Sequence, residues 1–309
     1  MEEFDFYPQK PELVESQSKG SMGRTVFSIF LFVITFLMIG MEDIGLIVML
    51  LTVLIIHESG HFLAMKIFKY TDVRMLFIPL LGAFVQGKKE EYQQRQSLIV
   101  VLAGPIPGII LGCFSMYYGA KFEVDFLKML SLWFLGLNML NLLPLDPLDG
   151  GQILKLMINR SQELFQLIFS FISSLIMILG GWYYELWVIV IFGFLMGLRV
   201  RAIQKNYQIH KELDEENVNF KTTYAHLSNK DFSTIKRVVI DYTPALRTYM
   251  EQVSTETIDP IVADQVTNVL VSPLSRNTSI FFRTTVVLIW ISAFVFPVYL
   301  AHSLGLLKF

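Results

Sequence analysis

His57-Glu58-Ser59-Gly60-His61 is the stretch whose residue types and spacing could do chemistry. On a helix, positions four apart share a face, so the two imidazoles would stand one turn apart and could bind one metal ion. Glu58 would lie about 100° around the helix from His57, within reach of a water at that metal. Two imidazoles beside a carboxylate suit one Zn²⁺ per chain with an activated water. The flanks are apolar, Leu46 to Leu54 before and Phe62 to Met65 after. Ionisable groups at membrane depth are costly and face a protein interior or a wet cavity. That setting disfavours a solvated His-Glu-His face on a soluble helix. A proton or ion path is the remaining alternative to a metal.

A catalytic zinc usually has three protein ligands, so these two histidines need a partner. Asp149 is the candidate and Asp146 its rival. The other role open to Asp146 is a turn-forming one between Pro144 and Pro147.

The elements that must position these groups follow from composition. The chain has 309 residues, 53% hydrophobic and only 17% charged, which excludes a disordered chain and indicates a polytopic membrane protein. The net charge of −2 implies nothing about nucleic acid, and no nucleic-acid partner is expected. Cys113 is the only cysteine, so no intrachain disulfide and no cysteine-rich zinc module can form. It is read as a small buried hydrophobe. No cleavable signal peptide is expected, because the N-terminus is polar and acidic.

Residues 1–24 are read as a mobile cytoplasmic tail. Residues 25–200 form the membrane core with six spans, at about 25–41, 44–68, 97–118, 126–143, 164–180 and 186–200. If the second span is straight, His57 lies about 16 Å from Leu46 and His61 about 10 Å from Phe68, well inside the ~30 Å hydrocarbon layer. Val73–Ile78 and Ala83–Gln86, separated by a turn at Pro79 to Gly82, are read as a β-hairpin, either dipping in beside the site or lying on the surface. Ala103-Gly104-Pro105-Ile106-Pro107-Gly108 should kink the third span or admit a close neighbour. Pro144, Pro147, Gly150 and Gly151 exclude a regular helix after the fourth span, and such backbone is tolerated at membrane depth only in protein or beside a wet cavity. Asp149 is then expected as the N-cap of a short helix, 151–157. Trp182, Tyr183, Tyr184 and Trp187 suit a membrane interface.

Residues 201–279 are polar enough for a small cytoplasmic accessory segment, in which His210 and His226 lack ligand spacing and are read as surface residues. Residues 280–309 carry the last span, with Arg283 expected to snorkel. The fold class expected is an all-α polytopic membrane protein of about seven transmembrane helices, with a small β-hairpin beside the active site and a small cytoplasmic domain. Orientation follows from basic loops. Lys66, Lys69, Arg74, Lys88, Lys89 and Arg95 follow the second span, Lys155 and Arg160 the fourth, and Arg199, Arg201 and Lys205 the sixth. Glu42–Asp43 and Trp182–Glu185 fall outside. A multi-pass protein of the cell membrane with its N-terminus and residues 201–279 in the cytoplasm satisfies every loop. The second and fourth spans then run in the same direction, so that His57/His61 and Asp149 can meet at one depth.

The chain resembles the site-2 protease family of intramembrane zinc metalloproteases. The resemblance rests on His57-Glu58-Ser59-Gly60-His61 and on Asn141…Pro144…Leu148-Asp149-Gly150-Gly151. Between them, Gly82-Ala83-Phe84-Val85 and Ala103-Gly104-Pro105 add to it. It covers about residues 44–157. It implies that His57, His61 and Asp149 bind zinc, that Glu58 is the general base, and that Asn141 helps hold the substrate segment or the reacting carbonyl. It also implies a membrane-protein substrate cut in or near its transmembrane segment within the lipid bilayer, with no oligomeric state implied. The rival classes are an ion, proton or metal transporter built on the same His/Glu/Asp set, and an inactive membrane scaffold.

Overall fold

The computed structural model describes residues 7–13, 22–38, 40, 43–79, 82–158, 162–252 and 255–307. Glu42, Arg160 and most of the polar N-terminal stretch, on which some expectations rested, lie outside them.

Helix α1 (Met22–Met38) and α2 (Ile44–Ile67) open the chain, and Asp43 caps α2 by accepting a hydrogen bond from the Leu46 amide at 3.2 Å. Strands β1 (Thr71–Ile78) and β2 (Gly82–Lys88) then form the expected antiparallel hairpin, in register Met75↔Val85 and Phe77↔Ala83. A two-residue strand β3 (Tyr92–Gln93) leads into α3 (Gln94–Ala103) and α4 (Pro105–Lys121). These two helices form one apolar rod interrupted at Gly104, where Pro105 cannot donate to the preceding turn. Helix α5 (Asp125–Asn141) ends at the proline-rich loop, and α6 (Asp149–Met157) is a nine-residue helix beyond it. Helices α7 (Gln162–Tyr183) and α8 (Trp187–Glu215) form a long hairpin. Helices α9 (Asn229–Asp241), α10 (Pro244–Gln252) and α11 (Thr255–Val269) follow. Strand β4 (Leu274–Ser275) pairs in parallel with β3, and α12 (Ile280–Ser303) closes the chain.

Among the described residues, five segments are long and apolar enough to cross a membrane: α2, α3–α4 together, α7, α8 and α12. The protein is therefore a mostly helical, multi-pass membrane protein with a small hairpin. Its outward faces are apolar, as at Phe171, Ile191, Phe194 and Leu288, while α7 turns Ser170, Ser173 and Ser174 inward. Small polar residues at helix contacts let backbones approach and bond across. Ser174 Oγ donates to the Gly193 carbonyl of α8 at 2.8 Å.

Several expectations change. Helix α8 does not stop at residue 200 but runs on to Glu215, and its last turns enter a hydrophobic core with Phe220, Phe232, Ile235, Val238, Val262 and Val266. His210 is consequently not a surface residue. It is buried, stacks on Phe220 at 4.4 Å and bonds to the Val269 carbonyl at 2.8 Å, whereas His226 is exposed. The described part of the N-terminal tail is docked rather than mobile. Lys10 Nζ donates to the carbonyls of Tyr224 and Leu227, each at 2.7 Å, and Tyr224 donates its hydroxyl hydrogen to the Pro11 carbonyl. Arg283 reaches toward the start of α12, donating to Thr278 Oγ1 and to Gln94 Oε1. Cys113 is buried as expected.

Candidate metal centre

Helix α2 places His57, Glu58 and His61 on its inward face, all three less than a tenth exposed. The start of α6 brings Asp149 to meet them. His57 Nε2 lies 3.1 Å from His61 Nε2, and Asp149 Oδ2 lies 3.2 Å and 3.3 Å from the two nitrogens. Asp149 is therefore not the N-cap of α6, a position taken by Leu148, which makes no side-chain cap bond. Its carboxylate turns inward instead. Asp146 lies outside the group, as described below.

The donor chemistry tests whether a metal fits. His57 Nδ1 is 2.8 Å from Asn138 Oδ1, and His61 Nδ1 is 2.8 Å from the Val100 carbonyl. Both partners are acceptors, so in the neutral rings each Nδ1 carries the hydrogen and each Nε2 presents a lone pair. Two lone pairs and a carboxylate oxygen thus converge with no hydrogen between them, and Asp149 Oδ2 has no hydrogen-bond partner. Such a triangle of acceptors is suited to a cation. Tetrahedral zinc with bonds of about 2.0–2.1 Å requires ligand atoms about 3.3–3.4 Å apart, close to the triangle observed. His57, His61 and Asp149 fit one Zn²⁺.

The surroundings explain sequence features that spacing alone did not. A Cβ on Gly104 would stand 2.5 Å from His61 Cε1 and closer still to Nε2, so only glycine leaves room for the ring. The carbonyl of Val100, which His61 meets, lies in the last turn of α3, where carbonyls commonly take partners outside the helix. A Cβ on Gly108 would stand 2.5 Å from Asn138 Cγ. Asn138 is fully buried and also donates to the Phe134 carbonyl at 2.7 Å. Sequence reasoning missed Asn138. The available signal was an amide in the middle of the apolar helix Leu132–Leu140, where an unpaired polar group is costly. Asn141, singled out instead, donates to the Leu137 carbonyl at 3.0 Å and is not among the groups joined here.

Glu58 stands beside the triangle with Oε2 unpartnered, and the main-chain amide of Val85 faces its carboxylate. The hairpin thus borders the site. The outer edge of β1 is already occupied, since Thr25 Oγ1 donates to the Met75 carbonyl and Ser28 Oγ accepts from the Phe77 amide. The edge facing Glu58 belongs to β2. Trp290 of α12 donates its indole hydrogen to the Leu142 carbonyl at 2.8 Å, where α5 ends.

Residues 45–124 match the family model described as peptidase family M50, a span that includes His57, Glu58, His61 and Gly104 and ends before Asp149. A zinc metalloprotease of Methanocaldococcus jannaschii is 28% identical over 120 residues, 37% of this chain and 34% of the relative. Stage IV sporulation protein FB of Bacillus subtilis is 28% identical over 114 residues, 36% of this chain and 39% of the relative. The alignments span little more than a third of the length of either relative. Among solved structures, the site-2 protease from Methanocaldococcus jannaschii gives a TM-score of 0.45 at 21% identity, covering 57% of this chain and 87% of that chain.

Proposed function

We propose, from the match of residues 45–124 to the model described as peptidase family M50, that the protein is an intramembrane zinc endopeptidase of the site-2 protease kind. Its substrate class is a membrane protein, cut in or near a transmembrane segment within the bilayer. One observation carries this reading: three buried acceptor atoms converge on a point beside Glu58, whose Oε2 has no hydrogen-bond partner.

His57, His61 and Asp149 would hold the metal. A zinc ion there supplies Lewis-acid polarisation of the scissile carbonyl and makes a water acidic enough to attack near neutral pH. Glu58 accepts the proton that the attacking water loses and passes it to the leaving amine nitrogen. Asn138 and the Val100 carbonyl fix both imidazole tautomers, so neither ring needs to reorient during the reaction. A helical substrate must unwind first, because its peptide bonds are shielded. With the outer edge of β1 occupied by α1, an extended substrate segment would add to β2, whose Val85 amide already points toward Glu58. Asn141, one turn beyond Asn138, is assigned to the substrate on the family resemblance.

The finer topology belongs to the same proposal. Helix α1 and α5, each 17 residues or about 25 Å long, would complete seven spans with the five longer ones. Residues 1–24 and 201–279 would share the cytoplasmic side of the cell membrane. The bonds from Lys10 and Pro11 to the 224–229 stretch support that shared side.

The test is cleavage of a tagged single-span substrate by purified protein in detergent. Zinc-loaded protein should cut, chelated protein should not, and returned zinc should restore cutting. Zinc-loaded protein that cuts no substrate yet carries ions in vesicles would replace this reading with the transporter one.

A further inference from the structure

We propose that Asp146 is a positioning residue that locks α6, and with it Asp149, at the angle at which Asp149 meets His57 and His61. The inference rests on reading that triangle as a zinc site.

Asp146 is a carboxylate only 2% exposed, in an irregular loop three residues before Asp149. Such a charge is costly unless it is paired and bonded. Here both carboxylate oxygens and the main-chain amide are used. Oδ1 accepts from Lys155 Nζ at 2.5 Å, and Oδ2 accepts from Ser170 Oγ at 2.6 Å with Arg199 Nη1 at 4.0 Å. Its main-chain amide donates to Ser173 Oγ at 3.0 Å. None of these contacts leads to the histidines. They tie the loop to α6, α7 and α8 together.

The geometry of α6 makes that tie consequential. The helix has nine residues and no side-chain cap at its start. Asp149 and Lys155 are six positions apart, about 240° around the axis, so they face different sides. Asp149 faces α2, and Lys155 faces the loop. Rolling α6 to swing Asp149 off the histidines would pull Lys155 from Asp146. The loop cannot follow, because it lies against the first turn of α6. A Cβ on Gly151 would stand 2.6 Å from the Leu145 carbonyl carbon, and one on Gly150 2.5 Å from that of Leu142. Gln94 Nε2 holds the far end through the Leu156 carbonyl at 2.6 Å. The Asp146–Lys155 pair is the polar contact that sets the roll.

The experiment measures zinc affinity of the full-length protein in detergent by competition with a chelator. It also measures amide hydrogen exchange of α6 in metal-free protein. Asp146→Asn keeps the size but loses the charge pair. It should weaken zinc binding about 10–100-fold, the usual effect of a residue that orients a ligand, while still binding one zinc at saturation. Amides of α6 should exchange faster even without metal. Lys155→Met breaks the same pair from the other end and should act alike, and the double variant should be no worse than the poorer single one. Lys155→Arg should restore both affinity and protection. Asp146→Asn with wild-type affinity and exchange would overturn the proposal, as would loss of zinc at saturation, which would make Asp146 a ligand. Asp149→Ala is the control: if it leaves zinc binding intact, the zinc-site reading falls and the lock falls with it.

Discussion

Gly104→Ala isolates the packing that the metal centre depends on. The added methyl would stand 2.5 Å from His61 Cε1 and 2.7 Å from Cδ2. Carbon atoms pack best at about 3.5–4.0 Å, so the ring or the helix must give by about 1 Å. The ring has little freedom, because its Nδ1 is fixed 2.8 Å from the Val100 carbonyl. A retreat of about 1 Å would stretch that bond beyond hydrogen-bonding range. Overpacking of this kind costs about 1–3 kcal/mol. If the metal-bound state bears the whole cost, zinc affinity falls about 5- to 150-fold, at 1.4 kcal/mol per decade. Gly136→Ala is the matched control, since a Cβ there meets nothing within 4 Å. Both variants should be purified in one detergent and titrated with chelator while zinc is measured on the protein. Zinc retention by Gly104→Ala equal to that of wild type and Gly136→Ala would refute the claim that His61 is held in place by this helix crossing.

Three further outcomes are expected. Asn138→Leu removes the acceptor for His57 Nδ1 and should lower zinc affinity about 10–100-fold, with Gly108→Ala moving it in the same direction; chelator competition reads both. His210→Ala should loosen the core around Phe220 and Val269, seen as faster proteolysis within residues 201–279, while His226→Ala changes nothing and zinc content stays the same in both. Lys88→Cys and Lys230→Cys should resist a membrane-impermeant thiol reagent added outside cells, and strong labelling of either would reverse the proposed orientation.

What the sequence made legible was local or periodic. The histidine pair is an i, i+4 feature of one helix, and Glu58 comes with it. The hairpin was readable because β-prone runs flank a Pro–Gly turn, and the two runs pair as antiparallel strands. Asp149 could be paired with α2 because two spans running the same way bring their inner halves to one depth. What escaped depended on contacts between distant segments. Asn138 reaches His57 across 81 residues, and nothing within Leu132–Leu140 says which way the amide points. Lys10 finds its carbonyls more than 200 residues away, so the described part of a polar tail read as mobile is docked. Helix α8 outlasts its apolar run because residues 209–213 exchange a lipid-like environment for a protein core without a break in helical propensity. Asp146 reads in the sequence as a rival ligand or as a turn former between two prolines. Its partners Lys155, Ser170 and Ser173 come together only when α6 and α7 pack.

The central claim is that Glu58 is the base and not a ligand beside a zinc held by His57, His61 and Asp149. Glu58→Gln keeps the size of the side chain and cannot accept the proton. Zinc content and substrate cleavage should be measured on one sample of purified protein. The expected result is about one zinc per chain, as in wild type, with cleavage lowered about 10²–10⁴-fold. Cleavage by the Gln variant at the wild-type rate, or loss of its zinc, would contradict the account.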